Sequence, residues 1–165
     1  MVSSPTGQVS NDFSNIAAQR GLALARIAIG AMFVWVFFEN LGKGLYTADG
    51  YAGLIRVYID KGHAPGLWKS IMASAAANAP IAAPMQALAE ISFGVLLTAG
   101  LLTRPVALAA GLFLTSLWVS EWGTAWIWEL LVPMCVAFAL VVGRAGRYWG
   151  LDARLARSRP DGVLW

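Results

Sequence analysis

The chain carries one cysteine and one histidine in 165 residues. A single thiol, Cys135, can form neither an internal disulfide nor a CxxC redox pair. A single imidazole, His63, excludes a bis-histidine haem and leaves no donor set for zinc. No flavin, iron–sulfur or dithiol motif is present, so no cofactor of these classes and no metal site is expected. Charge is scarce too. Asp, Glu, Lys and Arg make up 13% of the chain, against roughly a quarter in an ordinary water-soluble domain.

What is abundant is apolar. Hydrophobic residues account for 58% of the chain, and the mean hydropathy is +0.62. They are bunched into four stretches, about 22–41, 82–102, 106–122 and 125–142, each near the roughly 20 residues that cross a bilayer core. The expected fold is therefore all-α, an integral membrane four-helix bundle spanning residues 20–153. The first stretch lacks a small-residue cleavage site and carries Glu39, Asn40 and Lys43 instead, so it reads as a retained helix rather than a secretory signal.

The basic residues set the orientation. Arg20, Arg26, Arg104, Arg144, Arg147, Arg154, Arg157 and Arg159 share one side of a four-span topology, while Lys43, Arg56, Lys61 and Lys69 fall in the long loop after the first span. This bias places both termini in the cytoplasm, in a plasma (inner) membrane. It also accounts for the pI near 9.4 without a nucleic-acid partner. Residues 1–19, rich in Ser, Asn, Gln and Gly, read as a flexible tail. Residues 154–165 read as a basic tail on the anionic inner surface.

The long outer loop has its own pattern. Tyr51, Leu54, Ile55, Tyr58 and Ile59 recur at helical spacing, and Leu67, Trp68, Ile71 and Met72 follow Pro65 on one side of a second short helix. Two readings stay open here, short helices lying in the outer interface or a lid packed on the bundle with no ligand role. The turn 121–124 makes the last two spans a tight hairpin. Trp118, Trp122, Trp126 and Trp128 ring its outer end, as an aromatic belt would; a Trp-lined ligand pocket is the alternative.

The acidic residues divide by type. All five Asp lie in tails or loops, and all four Glu (Glu39, Glu90, Glu121, Glu129) lie in or at the ends of apolar stretches. The topology brings these four carboxylates to the outer half of the bundle. A carboxylate in hydrocarbon usually faces a cavity or a partner, and clustered carboxyls are candidates for proton transfer. Glu90, Glu129 and Glu39 are the candidate catalytic residues, with Lys43, Trp35 and Trp126 as candidate substrate-binding residues. Pro133 removes the helix hydrogen bond to the carbonyl of Glu129. On the inner side, Arg26 either snorkels or pairs with carbonyls at helix ends.

Three segments together resemble a known family. Arg26-Ile27-Ala28-Ile29-Gly30 with Phe33, Trp35 and Gly42-Lys43 is similar to the first-helix signature of DoxX proteins. Glu90, Gly94, Leu96-Leu97 and Gly100-Leu101-Leu102-Thr103-Arg104 with Ala107 are similar to the second. Gly146-Arg147-Tyr148-Trp149-Gly150-Leu151-Asp152 resembles the closing segment. The resemblance implies a four-helix membrane bundle, and its long outer loop is similar to that of the DoxD-like subunit of thiosulfate:quinone oxidoreductase. It thus implies a membrane subunit of a quinone-linked oxidoreductase, with quinone as its cofactor, thiosulfate as a candidate substrate and other membrane or periplasmic subunits as partners. The alternative is a non-catalytic accessory subunit of a larger membrane complex. A small transporter or lipid-binding bundle would need a homo-oligomer, for which the Gly21/Ala25 and Ala107/Gly111 spacings allow contacts.

Overall fold

A computed structural model describes residues 5–159, 162 and 164, with side chains from residue 15 onward. Among the described residues there are seven α-helices, one short 3-10 turn and no strand. The helices are α1 (Pro5–Gly42), α2 (Ala48–Lys61), α3 (Gly66–Ala77), α4 (Ala79–Ala99), α5 (Thr103–Ser120), α6 (Ile127–Gly143) and α7 (Asp152–Ser158), with the 3-10 turn at Ala145–Arg147. Helix α1 begins within the stretch expected as a tail at 1–19, of which residues 1–4 lie outside the described residues. Helix α7 lies largely in the expected 154–165 tail, where residues 160, 161, 163 and 165 are likewise outside.

Two segments are long and apolar enough to cross a membrane, Asn15–Gly42 and Ala79–Ala99, and Ile127–Gly143 is a shorter apolar helix. Helices α1, α4, α5 and α6 close a ring in which each packs on two others, α1 on α4 and α6, α5 on α4 and α6. The α1–α4 contact needs bare backbone. A Cβ on Gly94 would stand 2.6 Å from a Val34 methyl, and one on Gly30 would stand 2.6 Å from the Thr98 nitrogen. At the centre of the ring, Phe33, Phe93 and Phe113 meet with centroids 5.4, 5.7 and 6.2 Å apart, in the edge-on and tilted geometries aromatic quadrupoles favour. The outward face stays apolar: Leu24, Phe38, Leu88, Leu112, Val132 and Val142 are all exposed. So continuous an apolar surface fits hydrocarbon rather than water.

Local chemistry sets the helix boundaries. Gly100, at φ +67°, ends α4, and its N–H returns to the Leu97 carbonyl. Thr47 caps α2 by accepting from the Gly50 N–H, and Lys69 donates to the carbonyls of Ile59 and Gly62 at its other end. Helix α5 stops at Ser120, two residues before the span end expected near 122, so Glu121 stands in the turn expected at 121–124.

One end of the bundle is tied by one arginine and one aspartate. Arg26 is fully buried and donates to the carbonyls of Leu97 and Thr98, in the last turn of α4, and of Trp149. It therefore pairs with helix-end carbonyls rather than snorkelling. Asp152, also fully buried, accepts the N–H groups of Leu102 (2.7 Å) and Thr103 (2.8 Å), capping α5 from across the sequence. Leu151 and Asp152 donate in turn to the carbonyls of Ala99 and Gly100. The closing segment is thus stitched to the α4–α5 turn.

At the opposite end, α2 and α3 form a lid with its own small core of Ile55, Ala64 and Met72. Helix α2 packs on α4, and α3 packs on α4 and α5. Trp68 Nε1 donates to Ser120 Oγ (2.9 Å), and the His63 N–H donates to the Trp122 carbonyl (2.6 Å). Of the two readings left open for the long loop, the packing is that of a lid.

Candidate functional site

Glu90 sits on the inward face of α4 and is 1% exposed. Three neutral donors hold its carboxylate. Gln86, one turn earlier on the same helix, donates to Oε1 at 2.8 Å. Asn40, at the end of α1, donates to Oε2 at 3.1 Å, and the Tyr46 hydroxyl donates to the same oxygen at 2.5 Å. These bonds offset the cost of burying the group. A carboxylate offers about four acceptor positions, so one on Oε1 stays open for a ligand.

That carboxylate faces a cavity of about 540 Å³ between the lid and the ring. Its floor is apolar, built by Met32, Phe33, Phe113, Leu114 and Leu117, and α2 roofs it with Tyr51, Leu54, Ile55 and Tyr58. Lys43 and Glu129, both exposed, also line it, at the lid ends of α1 and α6. Glu121 completes the lining from the α5–α6 turn, where the Tyr58 hydroxyl donates to its Oε1 at 3.0 Å. Two carboxylate–tyrosine pairs, Glu90–Tyr46 and Glu121–Tyr58, therefore serve one cavity. Burial pushes both phenols well above their ordinary pKa and the partner carboxylate adds to the rise, so both remain protonated donors at neutral pH.

Of the residues singled out in the sequence, Glu90, Glu129 and Lys43 meet in this cavity. Glu39 and Trp35 do not. They line a separate, open groove on the outward face of α1 with Ala31, Val34, Phe38 and Thr98. Glu39 is paired there with Lys43 at 2.6 Å, one turn along the helix. The reason is the helical period: Glu39 and Asn40 are neighbours in sequence but about 100° apart on α1, so Asn40 turns inward and Glu39 outward. Trp126 lies in a third groove, at the α5–α6 turn. Asn40, Tyr46, Tyr58 and Gln86 were not singled out by the sequence as site residues. Gln86 had a local signal, standing four residues before an apolar-helix glutamate. The tyrosines had none, because each reaches its carboxylate across elements, Tyr46 from the α1–α2 turn to α4 and Tyr58 from the lid to the α5–α6 turn. Among the described residues no cluster of His, Cys, Asp and Glu could hold a metal ion.

Glu121 gives the site a pH signature. Its carboxyl is pushed above the ordinary value near 4.5, first by burial and then by the Glu129 charge, with the Tyr58 hydrogen bond partly opposing. The fold thus favours the neutral acid. The group's stabilising contribution is full below its ordinary value and is lost as pH rises through the raised one. Thermal unfolding of Glu121→Gln is expected to lack this loss, so that the variant gains Tm relative to wild type at pH 8 but not at pH 4. An equal Tm difference at both pH values would refute the assignment.

A family model for DoxX matches residues 21–122. No curated protein matches, and no solved structure does. The matched span runs from the start of the apolar part of α1 to Trp122 in the α5–α6 turn, and so includes Glu90 with all three of its donors.

Proposed function

We propose a function from one premise: the chain belongs to the DoxX family and is a membrane protein. It is a multi-pass subunit of the plasma (inner) membrane, with α1, α4, α5 and α6 as spans, both termini cytoplasmic and the lid outside. Within a quinone-linked oxidoreductase, its cavity takes the ring of a quinone or quinol. The observation that carries this reading is the Glu90 carboxylate, buried, held by Asn40, Tyr46 and Gln86, and facing an apolar cavity.

The lining suits a flat, uncharged ring with polar atoms at its edge. Phe33, Phe113 and the leucines cover the ring faces. In quinone reduction a protonated Glu90 would give its proton to a quinone oxygen from the open position and become a carboxylate, which the donors on Tyr46, Asn40 and Gln86 stabilise and which then accepts the hydrogen bond of the quinol hydroxyl. Glu121 with Tyr58 offers a second acceptor. A quinone supplies two-electron acceptance when bound. The electrons would come from a partner subunit, since the chain's cysteine is a single exposed Cys135.

Thiosulfate fits this cavity less well. Glu90, Glu121 and Glu129 all line it, and its one lining cation, Lys43, is already paired with Glu39. Any sulfur oxidation is accordingly placed on the partner subunit rather than in this cavity.

The full chain, purified in mild detergent, should quench its intrinsic tryptophan fluorescence saturably with a short-chain benzoquinone or naphthoquinone probe, with a Kd in the micromolar range. It should co-purify from native membranes with a redox subunit. Absence of saturable binding, together with stoichiometric recovery in a larger complex, would make the chain a non-catalytic accessory subunit instead.

A further inference from the structure

The groove at the outer end of the hairpin is not absorbed by the quinone reading. It is lined by Trp118, Trp122, Trp126 and Glu121, with Gly123, Ala125, Ile127 and Leu130, and encloses about 230 Å³. That is below the roughly 300–1,000 Å³ of drug-sized pockets, and suits a small headgroup. Trp118 and Trp122, one turn apart, stack with centroids 5.7 Å apart and planes inclined by 22°, so they present one continuous indole wall. Gly123, at φ +87°, lets the chain turn sharply enough to bring Trp126 to the same groove. Trp126 is 76% exposed and Trp122 53% exposed.

An aromatic belt explains why indoles lie at this level of the membrane. It does not explain why a half-buried carboxylate shares the groove with them. No Lys or Arg is among the groove's lining residues. The hydrogen bond to Glu121 comes from a neutral phenol, Tyr58, and the charge acting on it from α6 is that of Glu129, of the same sign. On the other elements around it, Lys43 and Glu90 face the adjoining cavity, and His63 packs on Gly123. Above its raised pKa the Glu121 carboxyl is a negative group walled by indole faces, the arrangement that attracts an organic cation, because the ring quadrupole and the carboxylate act in the same direction. The hydrogen-bonding inventory narrows the class. A primary ammonium carries three N–H donors that point in different directions, and the groove's side chains offer acceptors on one side only, the Glu121 carboxylate, because an indole N–H is a donor only. A quaternary ammonium needs none.

We propose that the groove formed by Trp118, Trp122, Trp126 and Glu121 binds a quaternary ammonium group of the choline type. The site lies beside the cavity and shares Glu121 and Leu130 with it, but it takes a different ligand and stands independently of the quinone reading. The group could be free in the outer compartment or belong to a lipid headgroup.

The test uses the full chain in detergent micelles free of choline, with tryptophan emission as the readout. Tetramethylammonium chloride is titrated against sodium chloride at matched ionic strength. A saturable change with tetramethylammonium alone is expected, weakened at least fivefold in Trp126→Ala and in Glu121→Gln and unchanged in Trp128→Leu, whose indole is outside the groove. Ethylammonium should bind more weakly than tetramethylammonium. Moving the chain to nanodiscs separates the sources: phosphatidylcholine discs that abolish the response, where phosphatidylglycerol discs do not, identify a lipid headgroup, and a response retained in both identifies a free ligand. A response equal to that of sodium chloride would overturn the proposal, as would saturable binding unaffected by both Trp126→Ala and Glu121→Gln.

Discussion

With quinone as the proposed acceptor, Glu90→Gln is expected to lower quinone-dependent turnover of the complex by about 100-fold, the scale of losing one positioned proton-exchanging group. The substitution is nearly isosteric, so the cavity keeps its shape. What changes is the pattern of donors and acceptors. Asn40, Tyr46 and Gln86 all direct hydrogen-bond donors at this side chain, and an amide offers one oxygen where the carboxylate offered two. At least one donor then faces the amide nitrogen, at a cost of about 1–3 kcal/mol. Thermal unfolding should record that cost, and steady-state kinetics should record a fall in kcat far beyond it. Tyr46→Phe separates the two effects. It removes one donor but keeps the carboxylate, and so should shift KM and the pH profile while retaining more than a tenth of the turnover. Full turnover in Glu90→Gln would remove Glu90 from the chemistry altogether.

The second large effect is expected far from the cavity. Arg26→Ala should destabilise the protein by about 3–5 kcal/mol, the usual result of removing one partner from a buried charged network. The guanidinium satisfies carbonyls of Leu97, Thr98 and Trp149 and lies within electrostatic reach of Asp152. Without it those carbonyls and the aspartate are left buried. At roughly 2–4 °C per kcal/mol for a chain of this size, the apparent Tm should fall by at least about 6 °C. Arg26→Lys should recover only part of the loss, because an ammonium cannot reach carbonyls on both α4 and the closing segment in the planar fork of a guanidinium. Quinone-probe affinity at low temperature should remain, since this network sits at the opposite end of the bundle from the lid. A wild-type Tm in Arg26→Ala would show that the closing segment is held by its backbone bonds alone.

The family was legible in the chain as a resemblance carried by three motif segments, and the all-helical membrane class as quantities that a linear reading measures. Apolar run length sets how many residues can cross a bilayer, and charge scarcity sets what cannot be a water-soluble surface. Within those runs the sequence also located Glu90 and Arg26, since a charged residue in an apolar stretch must have a structural reason. It did not say what that reason was. Arg26 and Asp152 stand 126 positions apart by their numbers, and no period links them; they share one network because the closing segment folds back onto the α4–α5 turn.

The composition of the site was decided only by tertiary structure. Four glutamates at one end of a bundle suggest one cluster, but each points where its own helix turns it. Glu39 faces outward to Lys43 and Glu90 inward to Asn40, a division set by the phase of α1 and by which faces the bare glycines Gly30 and Gly94 allow to meet. The phenol of Tyr58 reaches Glu121 only once the lid has docked, and that of Tyr46 reaches Glu90 only where the α1–α2 turn meets α4. Hydropathy is a property of a segment and survives without neighbours. A hydrogen-bond partner is a property of two segments and exists only when packing has chosen which faces touch.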